Sequence, residues 1–75
     1  MENKPIILII DDESQIRKFL KLTLSSAGYY VSEAASGKEG IQTASMHPPD
    51  VILLDLGLPD ADGKEILKQL REWFL

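Results

Sequence analysis

Three aspartates stand directly after two short apolar segments of the chain. Asp11 and Asp12 follow Ile6–Ile10, and Asp55 follows Val51–Leu54. Short runs of isoleucine, valine and leucine are typical of buried strands in parallel sheets. If both strands belong to one sheet, the three carboxylates meet at one edge, where like charges repel unless a cation or proton intervenes. The pattern therefore indicates a site for a hard metal ion.

Carboxylates beside a bound cation can do two kinds of chemistry. Magnesium prefers oxygen ligands, so Asp12 and Asp55 suit it, and a loop carbonyl just after Asp55 could add a third oxygen. A carboxylate can also attack phosphorus, because aspartyl phosphate is a known covalent intermediate and a metal shields the attacking oxygen. The alternative is that the aspartates merely end strands as loop residues. That alternative suits a single aspartate better than three at matching strand ends.

The rest of the chain alternates between strand and helix patterns in the order β-α-β-α-β-α. The predicted strands and helices are residues 6–10, 14–27, 29–34, 37–46, 51–54 and a last helix from residue 63. Alternation predicts a parallel sheet with right-handed crossovers, so both acidic strand ends point the same way. The second strand is the most polar, which predicts an edge position and makes strands one and three neighbours.

Turn and capping residues mark the ends of the predicted helices. Gly28 stands where a glycine commonly follows a helix. Ser36 with Glu39 matches a capping box, in which the serine caps the helix and the glutamate reaches back. Asp62 with Glu65 matches a second capping box. The third helix is expected to have an apolar side formed by four residues, Ile66, Leu67, Leu70 and Phe74.

Length and composition limit the class of protein. The chain has 75 residues, 44% of them hydrophobic, as in one small globular domain. Its formal net charge of −4 gives no surface for a nucleic-acid backbone, and the absence of cysteine excludes disulfides and zinc–thiolate sites. The sequence shows no signal peptide and no apolar stretch long enough to span a bilayer, so we expect a cytoplasmic protein without membrane contact.

The acidic motifs carry a family resemblance that extends over the whole chain. Asp11–Asp12 after an apolar strand, followed by the run DLGLPDADG at Asp55–Gly63, resembles the receiver (CheY-like) domain of two-component response regulators. The pairs GY, EA and SG between residues 28 and 37 stand where that family places its second strand and the following turn. The DLGLPD run and the segment Leu70–Trp73 most resemble the potassium-responsive Kdp-type transcriptional regulators.

The resemblance implies a fold, a site and a partner. The fold is a truncated flavodoxin-like α/β arrangement, βαβαβα, with a parallel sheet of order 2-1-3. Asp55 is the implied phosphoacceptor and receives the phosphoryl group from the phosphohistidine of a sensor histidine kinase. Asp12 would bind Mg²⁺ directly, Asp11 would act through water, and the Gly57 carbonyl would complete the protein ligands. Such a module accepts phosphate in signalling and is not itself an enzyme.

The resemblance also sets expectations about what these residues can do. Receiver domains run to roughly 120 residues, so residues 1–75 are expected to be the N-terminal portion of one. The family's switch Ser/Thr and phosphate-binding Lys belong to later strands, so we expect phosphorylation of Asp55 to be impaired here. We expect the third strand to have an exposed edge through which two chains form a homodimer.

Two other functions stay open. An Mg²⁺-dependent hydrolase that forms an aspartyl phosphate would have Asp-x-Asp after its first strand, where this chain has Asp11-Asp12-Glu13. The other alternative is a unit that serves folding or interaction without signalling. A calcium loop is rejected, because Gly63 at loop position six would place Leu58 and Gln69 at ligand positions.

Overall fold

Three strands and three helices alternate along the chain in the predicted order. The computed structural model describes residues 4–58 and 63–74. The elements are β1 (Ile6–Ile10), α1 (Ser14–Ser26), β2 (Tyr30–Ala34), α2 (Gly37–Met46), β3 (Val51–Leu54) and α3 (Gly63–Phe74). The predicted bounds differ from these at two places, since α1 ends at Ser26 and β2 begins at Tyr30.

The strands form one parallel sheet of order β2-β1-β3, which confirms the predicted topology. In its register, Ile9 lies opposite Glu33 on one side and opposite Leu53 on the other. Strand β1 is therefore central, and Ile7–Ile10 are buried. Burial on both faces explains why this strand is apolar throughout instead of alternating.

The main core lies on one face of the sheet. Because side chains of β1 alternate in direction, Leu8 and Ile10 point to the face that α2 and α3 cover. Seven buried residues form one cluster there: Leu8, Ile10, Ala34, Ala44, Leu58, Ile66 and Leu70. Gly40 of α2 lies so close to Ile10 that a Cβ atom at residue 40 would come within 2.5 Å of Ile10 Cδ1. The close approach of α2 to the sheet thus requires a glycine.

The opposite face, which α1 covers, is packed much less. Helix α1 has no buried residue, and its Phe19 and Leu22 are 66% and 63% exposed. The apolar run of β3 is typical of a buried strand, but Val51 and Leu53 are 47% and 38% exposed. These two side chains share a face with Ile7 and Ile9. Helix α1 packs over β1 and β2 and leaves Val51 and Leu53 of β3 uncovered.

The apolar side of α3 is narrower than predicted. Ile66 and Leu70 are one turn apart and both are buried, whereas Leu67 is 43% exposed. The assignment of Leu67 is wrong because its position is about 100° further round the helix, away from the sheet. The Phe74 side chain lies outside what the structure describes.

Across the described residues, no helix has the length and apolar character that crossing a bilayer requires.

Several predicted turns and caps are confirmed. Gly28 has a positive φ of 100°, a conformation that favours glycine after a helix. The Ser36 hydroxyl accepts a hydrogen bond from the Glu39 N–H at 3.1 Å, which is the first half of the predicted capping box. The capping role of Asp62 lies outside the described residues. Asp50, just before β3, accepts a hydrogen bond from the Ile6 N–H at 2.7 Å and thereby joins the beginnings of β3 and β1.

Candidate functional site

The hydrogen-bond ladder of the sheet continues one residue beyond β1 and β3. The Asp11 N–H donates to the Ala34 carbonyl at 3.1 Å, and the Asp55 N–H donates to the Ile10 carbonyl at 2.9 Å. These bonds fix the backbones of both aspartates at the carboxyl ends of neighbouring parallel strands. That edge is where open α/β sheets bind ligands.

The predicted convergence of the three aspartates is confirmed. Asp11, Asp12 and Asp55 each offer one carboxylate oxygen, and these three oxygens all lie within 4.8 Å of one another. Asp11 and Asp55 are half-buried, while Asp12 is exposed. Within residues 4–58 and 63–74, none of the three forms an ion pair. The cluster therefore concentrates negative charge that the described protein groups do not neutralise.

Two of the three carboxylates are oriented by backbone N–H groups. Asp11 Oδ1 accepts a hydrogen bond from the Glu13 N–H at 2.9 Å. Asp55 Oδ1 accepts one from the Gly57 N–H, also at 2.9 Å. The second oxygen of each of these carboxylates has no hydrogen bond to any described residue, and the same is true of the Asp12 side chain. The set thus offers hard oxygen donors in a group that suits Mg²⁺.

The start of α3 packs against the loop that follows Asp55. A Cβ atom on Gly63 would come within 2.5 Å of the Leu56 Cα, so α3 begins in direct contact with the loop backbone. Gly57 is different, because a Cβ atom there would lie 3.5 Å from Asp55 Oδ1, an ordinary contact. Sequence reasoning assigned Gly63 only to the start of a helix and missed its contact with Leu56. The role of the Gly57 carbonyl as a ligand stays a prediction.

Sequence reasoning also missed Arg17, which lies beside the cluster. One guanidinium nitrogen, Nη1, donates to the Asp11 carbonyl at 2.6 Å. Arg17 Nε lies 3.5 Å from Glu33 Oε1, and Lys21 Nζ lies 3.4 Å from Glu33 Oε2. The available signal was the i, i+4 spacing of Arg17 and Lys21 on α1, with an acidic residue in the strand that α1 crosses.

Comparison with known proteins identifies relatives that match most of the chain. Residues 7–74 match the family described as response regulator receiver domain. KdpE of Mycobacterium tuberculosis, a transcriptional regulatory protein, is 47% identical over 68 residues, which cover 91% of this chain and 30% of that protein. KdpE of Escherichia coli, a KDP operon transcriptional regulatory protein, is 46% identical over 67 residues, with 89% and 30% covered. The chain thus spans about a third of the length of these relatives, and the Kdp-type resemblance is confirmed.

Solved structures agree with the sequence relatives. Chemotaxis protein CheY4 of Vibrio cholerae superposes with a TM-score of 0.91 at 35% identity, over 95% of this chain and 59% of that one. Response regulator TrrA of Thermotoga maritima, solved in complex with Mg²⁺ and BeF, gives a TM-score of 0.88 at 31% identity, over 93% and 61%. The predicted CheY-like fold is confirmed.

Proposed function

The chain belongs to the response regulator receiver domain family, and on that premise we propose that Asp55 accepts a phosphoryl group in a two-component phosphorelay. The position of Asp55 carries this proposal. Its backbone is fixed beside β1 by the hydrogen bond to the Ile10 carbonyl, and its carboxylate lies within 4.8 Å of Asp11 and Asp12. The Gly57 N–H holds one carboxylate oxygen, so the other is available to attack phosphorus.

The proposed donor is the phosphohistidine of a sensor histidine kinase. A carboxylate oxygen of Asp55 forms the new P–O bond while the P–N bond of the phosphohistidine breaks, and the departing imidazole nitrogen takes up a proton from water. The nucleophile must be ionised to attack. The negative charges of Asp11 and Asp12 oppose the approach of an anionic phosphoryl group, so the site needs a cation for this reaction.

We assign that cation to Mg²⁺. Asp12 and Asp55 would bind it directly together with the Gly57 carbonyl, and Asp11 would act through water. The donor set supports this choice, because it consists of clustered carboxylate oxygens without an ion-pair partner among the described residues. Mg²⁺ bound there supplies positive charge that shields the attacking carboxylate from the phosphoryl oxygens. TrrA, a relative of this chain, was solved in complex with Mg²⁺ and BeF, which supports the choice of Mg²⁺.

Calorimetric titration with MgCl₂ tests the metal assignment. We expect the wild-type chain to bind Mg²⁺ and Asp12→Asn to bind it at least about tenfold more weakly, because a direct carboxylate ligand is lost. Glu13→Gln is the matched control, since Glu13 is a neighbouring exposed acid outside the cluster. Equal affinities for all three proteins would refute the assignment.

Phosphotransfer from a phosphorylated histidine kinase tests the phosphoacceptor role. We expect intact-mass measurement to show Mg²⁺-dependent addition of one phosphoryl group to the wild-type chain and none to Asp55→Asn. We propose that the reaction is slow in this chain, because no Lys, Ser or Thr of the described residues hydrogen-bonds to the three aspartates. Modification of Asp55→Asn to the same extent would reject Asp55 as the acceptor.

We also propose that two copies of the chain associate through β3. Val51 and Leu53 are exposed, and within the described residues β3 pairs with β1 alone, which leaves its outer edge open to another strand. Light scattering of Leu53→Lys should then show a smaller mass than the wild-type chain at equal concentration. Leu22→Lys changes an exposed leucine of α1 and serves as the control. A wild-type monomer at all concentrations would overturn this proposal.

The competing functions are separated by the same measurements. Receiver domains are signalling modules, so membership of this family does not support the hydrolase alternative. A unit without signalling activity would accept no phosphoryl group at Asp55, although it could still bind Mg²⁺ or associate through β3. The phosphotransfer experiment therefore distinguishes the proposed function from that alternative.

A further inference from the structure

We propose that Arg17 is a positioning residue for the acidic cluster and orients Asp12 for cation binding. The inference rests on the Mg²⁺ site proposed above, but it concerns a residue outside that ligand set. Its basis is the 2.6 Å hydrogen bond from Arg17 Nη1 to the Asp11 carbonyl. This bond joins the first half of α1 to the loop that carries the two adjacent aspartates.

The hydrogen bond acts on Asp12 through the backbone. The Asp11 carbonyl and the Asp12 N–H belong to one planar peptide unit, so fixing the direction of the carbonyl fixes that plane. The Asp11 N–H and side chain are already held by the Ala34 carbonyl and the Glu13 N–H. Asp12, by contrast, is exposed, and its side chain has no hydrogen bond within residues 4–58 and 63–74. Holding this peptide plane limits the positions that the Asp12 side chain can reach, and this favours the one in which its carboxylate lies beside Asp11 and Asp55.

Charge alone would give Arg17 the opposite role. A cation beside the cluster repels a divalent ion, so an unneutralised guanidinium would weaken Mg²⁺ binding. Glu33 counters this effect, because its two carboxylate oxygens lie 3.5 Å from Arg17 Nε and 3.4 Å from Lys21 Nζ. Glu33 thus offsets part of the positive charge of Arg17 and Lys21 and anchors the guanidinium. The side chains of Arg17 and Glu33 are only 17% and 31% exposed, so solvent screens this pair less than a surface pair.

The guanidinium suits this double role better than an ammonium. Its planar array of donors can serve the Asp11 carbonyl through Nη1 and Glu33 through Nε at the same time, with both directions fixed by one rigid group. Lys21 pairs with the same glutamate but is 53% exposed and does not reach the loop. Among the described residues, Arg17 and Lys21 share Glu33 as a partner, and Arg17 is the one of the two that contacts the loop that carries Asp12.

This pair supplies a matched experiment, in which Arg17→Met and Lys21→Met each remove one positive charge and keep a long apolar side chain. We expect Arg17→Met to raise the Kd for Mg²⁺ about tenfold, the lower range for partners that orient metal ligands. Lys21→Met should stay within about twofold of wild type, because loss of an exposed, screened charge has a small effect. Equal changes in both variants, or tighter binding by Arg17→Met, would overturn the inference. Either result would mean that Arg17 affects Mg²⁺ binding through its positive charge alone.

A second readout separates positioning from general support of the fold. In metal-free protein, the Asp12 amide resonance should shift in Arg17→Met and not in Lys21→Met, because only the first releases the Asp11–Asp12 peptide plane. If Arg17→Met does not fold, Glu33→Gln replaces it. That variant keeps the guanidinium but loosens its anchor, so we expect a smaller amide shift in the same direction. The Kd should also rise, in part because the guanidinium charge is then less offset, so the amide resonance is the deciding readout. An unchanged amide resonance in Glu33→Gln would overturn the inference.

Failure of this inference can be distinguished from failure of the proposed function. If the wild-type chain binds no Mg²⁺, the metal assignment is wrong, and the metal-free amide comparison alone decides whether Arg17 orients Asp12. If wild type binds Mg²⁺ and Arg17→Met binds it equally well, the metal site stands and the positioning role is rejected.

Discussion

The two faces of the sheet hold the two halves of the site by different means. On the α2–α3 face, the loop after Asp55 is held by packing, because Leu58 is buried in the core cluster and Gly63 lies against Leu56. On the α1 face, no residue of the helix is buried, and the loop that carries Asp11 is held by the polar contacts of Arg17. Both strand ends are held by backbone hydrogen bonds, but core packing supports the loop after Asp55, whereas the loop that carries Asp11 and Asp12 has only polar contacts with α1.

The largest effect should come from a cavity on the packed face. Leu8 is fully buried in the core cluster, so Leu8→Ala should lower the free energy of unfolding by about 3 kcal/mol. Leu22→Ala on the α1 face is the matched control and should change it by less than about 0.5 kcal/mol. Urea denaturation of both variants measures the difference. Similar losses in the two proteins would contradict the contrast between the faces.

The next effect should come from the contact between α3 and the loop. Gly63→Ala places a Cβ atom against the Leu56 backbone, which cannot rotate away as a side chain can, so we expect a loss of about 2 kcal/mol. Because Leu56 follows Asp55 directly, Mg²⁺ affinity should fall as well. Gly57→Ala is the control for stability alone, since its added atom meets only an ordinary contact. Unchanged stability and affinity in Gly63→Ala would show that packing does not place Asp55.

A smaller effect tests how β3 is anchored although its α1 face is open. Asp50 Oδ2 accepts the Ile6 N–H at 2.7 Å, so Asp50→Ala should lower the free energy of unfolding by about 1 kcal/mol. Asp50→Asn keeps a carbonyl oxygen that can accept the same bond and should lose less. Thermal unfolding of both variants provides the measurement. Equal stability of Asp50→Ala and wild type would mean that the ladder with β1 anchors β3 without this bond.

Much of this arrangement could be predicted from sequence because it depends on local patterns and on parallel topology. The element order, the cap at Ser36, the glycine at residue 28 and the convergence of Asp11, Asp12 and Asp55 all follow from such rules. The spacing of apolar residues indicates which side of a helix faces the sheet, but it does not indicate how much of the sheet that helix covers. An exposed edge of β3 is expected from the resemblance, but the exposure of Val51 and Leu53 on the α1 face could not be predicted.

Contacts that a side chain makes with a different helix, strand or loop also could not be predicted from the sequence. The sequence shows several basic residues on α1, and only the placement of the helix over β1 and β2 decides that Arg17 and not Lys21 reaches the Asp11 carbonyl. The same limit applies to Gly63, whose contact with Leu56 depends on where α3 begins in space. Sequence reasoning thus found the ligands of the proposed site and missed the residues that hold them in place.

The smallest effect should be a gain in stability, from a polar group on the packed face. The hydroxyl oxygen of Ser32 in β2 is buried, and it has no hydrogen-bond partner among the described residues. Burial of an unpaired hydroxyl opposes folding, so Ser32→Ala should raise the free energy of unfolding by up to about 1 kcal/mol. Ser32→Cys retains more volume and should be at least as stable as wild type, because a buried thiol behaves as a small apolar group. Urea denaturation of both variants measures this, and a loss of stability in both would mean that the hydroxyl is satisfied, for instance by an ordered water molecule.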